Sequence, residues 1–324
     1  MVSTDESKNS RSEPETEKNE VSKEEAKRTR LFVAICYATC CFIWGTTWYA
    51  VRVSVEPGDG YPPIFAGALR FLVALFLYMP ILAIFHRKLG SITKSELFWI
   101  SLSGLFNGVY QCFIYSAETT ISGGLASVIM ATAPLMVATA ATVFGMEKVR
   151  KNTVIGFLVS LAGIGLVCLD RVQTANEQVT GIVLTVVAAF FTSLSNVTLK
   201  GRGTRVHPLL SATVFLVATD IPVWLASFLT GEKPWLAMTK LLPFGEPALA
   251  VFYMAVMSSI IAFLLYLYML RHMSLMGIST LQFIIPILAL IVDMFLEQRV
   301  ALNMQVWVGI AVVMGGVAFS MKRH

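Results

Sequence analysis

The feature that most constrains this chain is a series of long apolar runs that begins at Leu31 and continues almost to the C-terminus. Several runs approach the roughly 20 residues that an α-helix needs to cross the hydrocarbon core of a bilayer. Charged residues make up 14% of the sequence and hydrophobic residues 56%, whereas soluble domains average about 25% and about 45–50%. The sequence therefore predicts an all-α integral membrane protein.

Charged stretches and stretches rich in Gly and Pro separate the apolar runs and define the expected helix ends. The ten predicted transmembrane helices cover residues 31–53, 62–85, 97–117, 121–145, 152–169, 180–200, 208–230, 247–270, 275–296 and 304–321. Residues 1–30 precede them and are mostly charged or polar. Because such a segment buries too little apolar surface to offset its chain entropy, we expect a disordered cytoplasmic tail.

The distribution of Lys and Arg predicts how the helices are oriented. Cytoplasmic loops of membrane proteins carry an excess of these residues. If both termini are cytoplasmic, the outside holds only a small set of them, namely Arg52, Arg171, Lys233, Lys240 and Arg299. The sequence thus predicts a multi-pass protein of the plasma membrane or a bacterial inner membrane, with both termini inside. The net charge of +5 is then explained by orientation rather than by binding to nucleic acid.

The two halves of the chain share a motif in the fourth and ninth predicted helices. Ser127 lies seven residues before Pro134, and Ser279 lies seven residues before Pro286. Each half holds five predicted helices, an odd number, so the second half must be inverted relative to the first. Inverted repeats are the usual construction of secondary transporters, with the substrate site near the middle of the membrane where the repeats meet.

We therefore expect one repeat over residues 31–169 and a second over residues 180–321, packed around a central cavity. The two prolines each remove a helix hydrogen bond, which favours hinges at Pro134 and Pro286. The alternative for both prolines is simple curvature of the helices around the bundle.

Short motifs recur in a defined order along these helices. They are Trp44-Gly45 in the first helix, Ala-Leu-Arg-Phe at 68–71 in the second, the repeated Ser-x6-Pro spacing, and Glu147 after the fourth helix. In this order they resemble the ten-helix, EamA-type members of the drug/metabolite transporter superfamily, over roughly residues 31–321. The resemblance implies two five-helix bundles around a cavity, alternating access, and export of amino acids or related metabolites. Gln298 departs from the pattern, since an acid aligned with Glu147 is usual there, and the alternative is that neighbouring Glu297 serves as that acid.

Charged residues inside apolar spans are the sharpest candidates for a functional site, because each costs about 2.5–3.5 kcal/mol on insertion scales. They are Arg70, Asp220 and Asp293. At 1.5 Å per residue, Arg70 lies about 12 Å into the second helix. We predict that Arg70 holds an anionic group of the substrate, or that an aspartate carries a coupling proton. The alternative is an Arg–Asp pair that only stabilises the packing of the bundle.

Polar side chains at helical spacing add further candidates, since lipid cannot satisfy buried amides. The predicted substrate-binding or coupling residues, besides the three charged ones, are Asn107, Gln111, Tyr115, Asn196, Gln282 and Trp44. The alternative is interhelical hydrogen bonding, worth about 0.6 kcal/mol for each contact. The Gly104–Gly108 pair on the third helix predicts close packing against a neighbouring helix.

The function that these patterns predict is secondary-active transport of small polar metabolites, and the alternative is a non-transporting membrane scaffold or sensor with the same fold. A channel is a third and weaker hypothesis. The chain has no G-x4-G-K-[ST] phosphate-binding loop, and its four histidines lie at helix ends or at the terminus. We expect no enzymatic activity, cofactor or metal. The expected partners are a small-molecule substrate, the lipid bilayer and a coupling proton, and a homodimer is left open.

Overall fold

The computed structural model describes residues 13–85, 89–143, 151–174, 176–202, 206–233, 245–273, 278, 281–297 and 304–320. The helices within these ranges are α1 (Glu13–Ser54), α2 (Pro63–Phe85), α3 (Lys94–Ala117), α4 (Gly123–Met130), α5 (Ala133–Val143), α6 (Lys151–Thr174), α7 (Asn176–Arg202), α8 (Pro208–Leu229), α9 (Glu246–Tyr253), α10 (Phe263–His272), α11 (Leu281–Val292) and α12 (Met304–Ser320). A π-helical segment, Met254–Ala262, joins α9 to α10, and a second one, Asp293–Glu297, extends α11. Ser279 and Glu147, which belong to the predicted repeat, lie outside the described residues.

The helices confirm the predicted class of an all-helical membrane protein. In the part of the chain that is described, seven helices are long and apolar enough to cross a membrane. Shorter apolar helices at Val154–Gly163, Ile284–Leu296 and Trp307–Gly316 lie within the fifth, ninth and tenth predicted spans. The total of ten spans and the inverted repeat remain predictions.

The first helix begins earlier than the sequence predicts. Residues 13–30 continue α1, so the predicted disorder is corrected for this segment, and residues 1–12 lie outside the described residues. The side chains of residues 24–30 are exposed, and Glu24 and Arg28 form an i,i+4 ion pair of 3.7 Å. Because adding residues to an existing helix costs far less than nucleating one, a polar segment rich in Glu and Lys extends α1 beyond the predicted span.

The predicted fourth span, 121–145, is divided between α4 and α5. Pro134 is the second residue of α5 and has no N–H to donate to the preceding turn. The Thr132 hydroxyl donates to the carbonyl of Ile129 at 2.7 Å, a local contact that competes with the regular helix hydrogen bonds. Pro286 has a different setting, because it lies inside the continuous helix α11.

Helix α3 packs against α7 on one side and α8 on the other. A Cβ atom at Gly104 would lie 2.6 Å from the Cβ of Ala218, and one at Gly108 would collide with the Thr219 carbonyl of α8. These glycines therefore allow the two backbones to approach closely, which confirms the packing predicted for the pair. Helices α6 and α12 pack against each other, with the Ser160 hydroxyl donating to the Val313 carbonyl at 3.2 Å.

Candidate functional site

The helices line a cavity of about 210 Å³. Pockets for drug-sized ligands measure about 300–1,000 Å³, so this cavity suits a smaller molecule. Its lining combines aromatic, aliphatic and polar side chains, and the polar ones are Thr47, Arg70, Asn107, Gln111, Glu118, Thr192, Ser195, Asn196, Ser258, Ser259 and Gln282. A small number of convergent polar groups in an otherwise apolar cavity is typical of a small-molecule binding site.

The lining residues that mark the two ends of this cavity come from different halves of the chain. Val51 and Glu118 lie where α1 and α3 end, and they line one end, which we call the Glu118 end. Leu199, near the end of α7, and Ile278, just before α11, line the other, which we call the Ile278 end. The cavity therefore extends along the helices and is built from both halves.

Arg70 of α2 lines the cavity and is 6% exposed. Its Nε donates to the Ser259 hydroxyl and its Nη2 to the Ser258 hydroxyl, both at 2.9 Å. Its Nη1 lies 3.5 Å from the hydroxyl of Tyr115, and its Cζ lies 5.1 Å from the centroid of the Phe71 ring. All of these partners are neutral. Arg70 thus contributes a positive charge to a cavity inside the membrane.

The two aspartates lie outside the cavity lining, apart from the predicted site residues that do line it, and their proposed role in coupling remains a prediction. Asp220 accepts a hydrogen bond from Trp224 Nε1 at 3.1 Å, one turn along α8. Asp293 accepts from the backbone N–H of Gly124 at 2.8 Å, at the start of α4. Among the described residues the ion pairs within 4.0 Å do not include Arg70. The alternative of a structural Arg–Asp pair is therefore wrong for this arrangement.

The amides predicted from helical spacing do line the cavity. Asn107 and Gln111 lie on α3, and the side chain of Asn107 also donates to the Thr219 hydroxyl at 3.3 Å. Asn196 of α7 and Gln282 of α11 line it from the second half.

The predicted aromatic and proline residues divide between the cavity and the packing around it. Trp44 lines the cavity and contacts Tyr266 edge to face, with ring centroids 5.4 Å apart. Tyr115 is fully buried behind Arg70 rather than in the lining. Pro134 lines the cavity, whereas Pro286 is buried in α11 outside the lining.

Glu118 is the main lining residue that helical spacing did not identify. It is the C-cap of α3 and is fully buried, and the Arg52 guanidinium donates to its backbone carbonyl. The predicted third helix ended at residue 117, so the polar stripe stopped one residue too early. Extending the stripe of Asn107 and Gln111 by two further turns reaches Glu118, which is the signal that could have found it.

Ser258 and Ser259 were also missed. They stand in the middle of the most apolar span, at the π-helical segment. Adjacent hydroxyls at that depth must bond to protein, because lipid cannot satisfy them, and this adjacency was the available signal. Both serines lie in this π-helical segment and accept hydrogen bonds from one guanidinium.

Comparison with known proteins extends these observations. The description "EamA-like transporter family" belongs to the family model that matches residues 31–169 and again residues 179–322. An Escherichia coli K12 protein described as "Uncharacterized inner membrane transporter YedA" is 26% identical over 278 residues, which cover 85% of this chain and 86% of that protein. "Protein PagO" of Salmonella typhimurium is 27% identical over 153 residues, covering 46% of this chain and 48% of its own. One solved crystal structure shares the fold, with a TM-score of 0.59 over 89% of this chain and 96% of that chain, at 22% identity.

Proposed function

The chain belongs to the EamA-like transporter family, and from that premise we propose that it is a secondary-active transporter that exports small polar metabolites, such as amino acids, by alternating access. The observation that carries the proposal is the buried guanidinium of Arg70, which lines a central cavity and is held by neutral groups. Relatives described as transporters support the same class of function.

The chemistry of Arg70 favours a substrate with a carboxylate. A charged side chain at this depth costs several kcal/mol on its own, and Ser258 and Ser259 satisfy its donors without neutralising its charge. A guanidinium presents a planar fork of donors that matches a carboxylate, and such charge-assisted bonds are about twice as strong as neutral ones. An anionic group on the substrate therefore completes the electrostatics of the site.

Helix packing supports the proposal that the two halves, residues 31–169 and 180–321, form an inverted repeat. If the halves are exchanged, α1 corresponds to α7, α3 to α9–α10, α5 to α11, and α6 to α12. Helix α3 packs on α7, and its counterpart α9 packs on α1. Helix α5 packs on α7, and its counterpart α11 packs on α1. The pairing of α6 with α12 is unchanged by the exchange, as a twofold relation requires.

Hydrogen bonds from one basic residue at each end of the cavity correspond under the same exchange. At the Glu118 end, Arg52 of α1 donates to the carbonyl of Glu118 at the end of α3. At the Ile278 end, Lys200 of α7 donates to the carbonyls of Leu270 and Met273 at the end of α10, at 3.0 Å and 3.4 Å. We call these contacts the Arg52 latch and the Lys200 latch. Each ties together two helices that line the cavity, so alternating access requires them to open in turn.

We expect Arg52→Ala to favour opening at the Glu118 end, and Lys200→Ala to favour opening at the Ile278 end. A hydrogen bond from a charged donor contributes about 1.5–3 kcal/mol, which shifts a two-state equilibrium by about tenfold or more. In a background without reactive cysteines, Thr47→Cys and Thr192→Cys place probes in the lining. A membrane-impermeant thiol reagent should label these cysteines faster from the side of the Glu118 end in Arg52→Ala. In Lys200→Ala it should label them faster from the side of the Ile278 end.

The matched control is Lys94→Ala, which removes an exposed positive charge at the start of α3, away from both latches. We expect it to leave both labelling rates unchanged. Acceleration from the same side in both latch variants would contradict the proposed correspondence of the two ends.

Counterflow in proteoliposomes tests the transport function itself. Vesicles with the purified protein, loaded with pooled amino acids and related metabolites, should accumulate labelled substrate by exchange, and protein-free vesicles should not. Absence of exchange from protein that is monodisperse in detergent would favour the scaffold or sensor instead.

A further inference from the structure

One contact at the Glu118 end joins the start of α2 to the segment that follows α8. The carboxylate of Glu232 accepts hydrogen bonds from the backbone N–H groups of Ile64 at 2.9 Å and Phe65 at 2.7 Å. The Ser227 hydroxyl, in the last turn of α8, donates to the same carboxylate at 2.9 Å. We propose that this contact, which we call the Glu232 clamp, holds the Glu118 end of the cavity closed and sets the resting orientation of the transporter. The inference rests on the proposed alternating access.

The clamp lies at the Glu118 end because α2 begins where α1 ends. The N–H of Tyr61, two residues before α2, donates at 2.8 Å to the carbonyl of Ser54, the last residue of α1. Helices α2 and α8 pack against each other. Both line the cavity, α2 through Arg70 and α8 through Phe215. Separation of these two helices at this end therefore opens a route to Arg70.

The sequence at the start of α2 creates the need for this carboxylate. The first N–H groups of a helix have no partner within the helix. Pro62 and Pro63 have no N–H and no side-chain oxygen that could cap the helix. Ile64 and Phe65 are the next residues with an N–H to donate, and Glu232 accepts from both. The carboxylate also lies at the positive end of the helix dipole, and its charge makes each bond stronger than one to a neutral acceptor.

The start of α8, which corresponds to the start of α2 when the halves are exchanged, is satisfied in a different way. Each of these helices begins with a proline. The N–H of Leu209 donates at 3.3 Å to the ring of His207, the N-cap of α8. That bond stays within one segment and does not hold α8 to α2. The Glu232 clamp therefore makes the two ends of the cavity unequal and favours the state that is closed at the Glu118 end.

Backbone strain beside Glu232 opposes the clamp. Lys233 has a φ of 51°, in the left-handed region that disfavours residues with a side chain. In the sequence it also precedes Pro234, and a residue before proline favours extended backbone. Gly231, on the other side of Glu232, has a φ of 76°, which glycine adopts readily. Release of the carboxylate lets Lys233 relax, so the strain keeps the closed state from becoming too stable to open.

The test measures access to the cavity from both sides of the membrane. Thr47→Cys, in the background without reactive cysteines, is labelled by the membrane-impermeant thiol reagent from each side in turn. We expect Glu232→Gln to be labelled about tenfold faster from the side of the Glu118 end, because the amide lacks the charge that strengthens two hydrogen bonds. Labelling from the opposite side should become slower, because the population shifts between two states. This slowing separates a change of orientation from general loosening of the protein.

Lys233→Asn should shift the labelling in the opposite direction. Asparagine adopts the left-handed region more readily than lysine, so the clamp becomes more stable and labelling from the side of the Glu118 end slows by about threefold. Lys233→Gln is the matched control, because it removes the same charge and keeps the strain. It should be labelled as wild type is.

Glu246→Gln is the matched control for Glu232→Gln. Glu246 is an exposed acid in the first turn of α9, at the same end of the membrane. Its loss should leave labelling from both sides unchanged. If Glu232→Gln is not monodisperse in detergent, Glu232→Asp replaces it with the same expected direction, because the shorter side chain reaches the start of α2 less well.

Three results would overturn the clamp. They are unchanged labelling in the Glu232 variant, faster labelling from both sides, and a shift in Lys233→Asn in the same direction as in Glu232→Gln. Counterflow by wild type is measured in parallel. Loss of the labelling effect with exchange intact overturns the clamp alone, whereas absence of exchange overturns the proposed function on which the clamp rests.

Discussion

The Arg70→Ala variant is expected to lose nearly all exchange of carboxylate substrates while remaining folded. Removing one partner of a buried, hydrogen-bonded charge pair costs about 2–5 kcal/mol, or between about 30-fold and about 4,000-fold in affinity. The substrate carboxylate would be left with the hydroxyls of Ser258 and Ser259, which now hold the guanidinium at 2.9 Å. Those hydroxyls can bond instead to carbonyls of the preceding turn, so the variant leaves no buried charge unpaired.

Counterflow measures this loss, and gel filtration in detergent checks folding. Asp220→Asn is the matched control, because it removes another charge from a membrane helix but acts at Trp224, outside the cavity lining. It should retain exchange. Arg70→Lys should give intermediate exchange, since a lysine keeps the charge but loses the fork that reaches both serines. Normal exchange by Arg70→Ala, or equal loss in Asp220→Asn, would remove Arg70 from the proposed site.

Gly108→Val is expected to prevent the protein from folding into a monodisperse form. A Cβ at this position would collide with the Thr219 carbonyl and the Pro222 ring of α8. Neither group can rotate away, so α3 and α8 must separate. Overpacking of this kind costs about 1–3 kcal/mol or more, and the separation would also break the bond between Asn107 and Thr219. Gly108→Ala should be destabilised in the same direction by a smaller amount.

Thermal unfolding in detergent, followed by gel filtration, measures this effect. The control is the same pair of substitutions at Gly315 of α12, where an added Cβ would meet no atom within 4 Å. We expect Gly315→Ala and Gly315→Val to unfold at the wild-type temperature. Equal unfolding temperatures for the Gly108 and Gly315 variants would show that the contact between α3 and α8 does not limit stability.

Much of the fold could be predicted because bilayer thickness restricts helix length. The predicted helices 62–85, 97–117 and 208–230 correspond to α2, α3 and α8 with ends that differ by three residues at most. An apolar run of this length has few alternatives to a membrane helix. The break between α4 and α5 could not be predicted from the length of the apolar run alone, because it depends on Pro134 and on the hydrogen bond of the Thr132 hydroxyl.

Part of the site could be predicted because the bilayer also restricts where polar side chains can lie. Helical spacing puts polar residues on one face, and that face must turn from lipid towards protein or cavity. The predicted residues that do line the cavity are Trp44, Arg70, Asn107, Gln111, Pro134, Asn196 and Gln282. These residues could be found because one helix, considered alone, already separates its polar face from its apolar face.

The sequence by itself determined that this chain is helical, lies in a membrane and carries a charge at Arg70. Only the tertiary structure decided that Asp220 and Asp293 accept hydrogen bonds from Trp224 and Gly124 outside the cavity, and that Glu118 lines it. The physical reason is that burying a charge is costly wherever it lies, and any protein partner can offset the cost. Which partner does so depends on the rotation and tilt of each helix, and packing against neighbouring helices sets both.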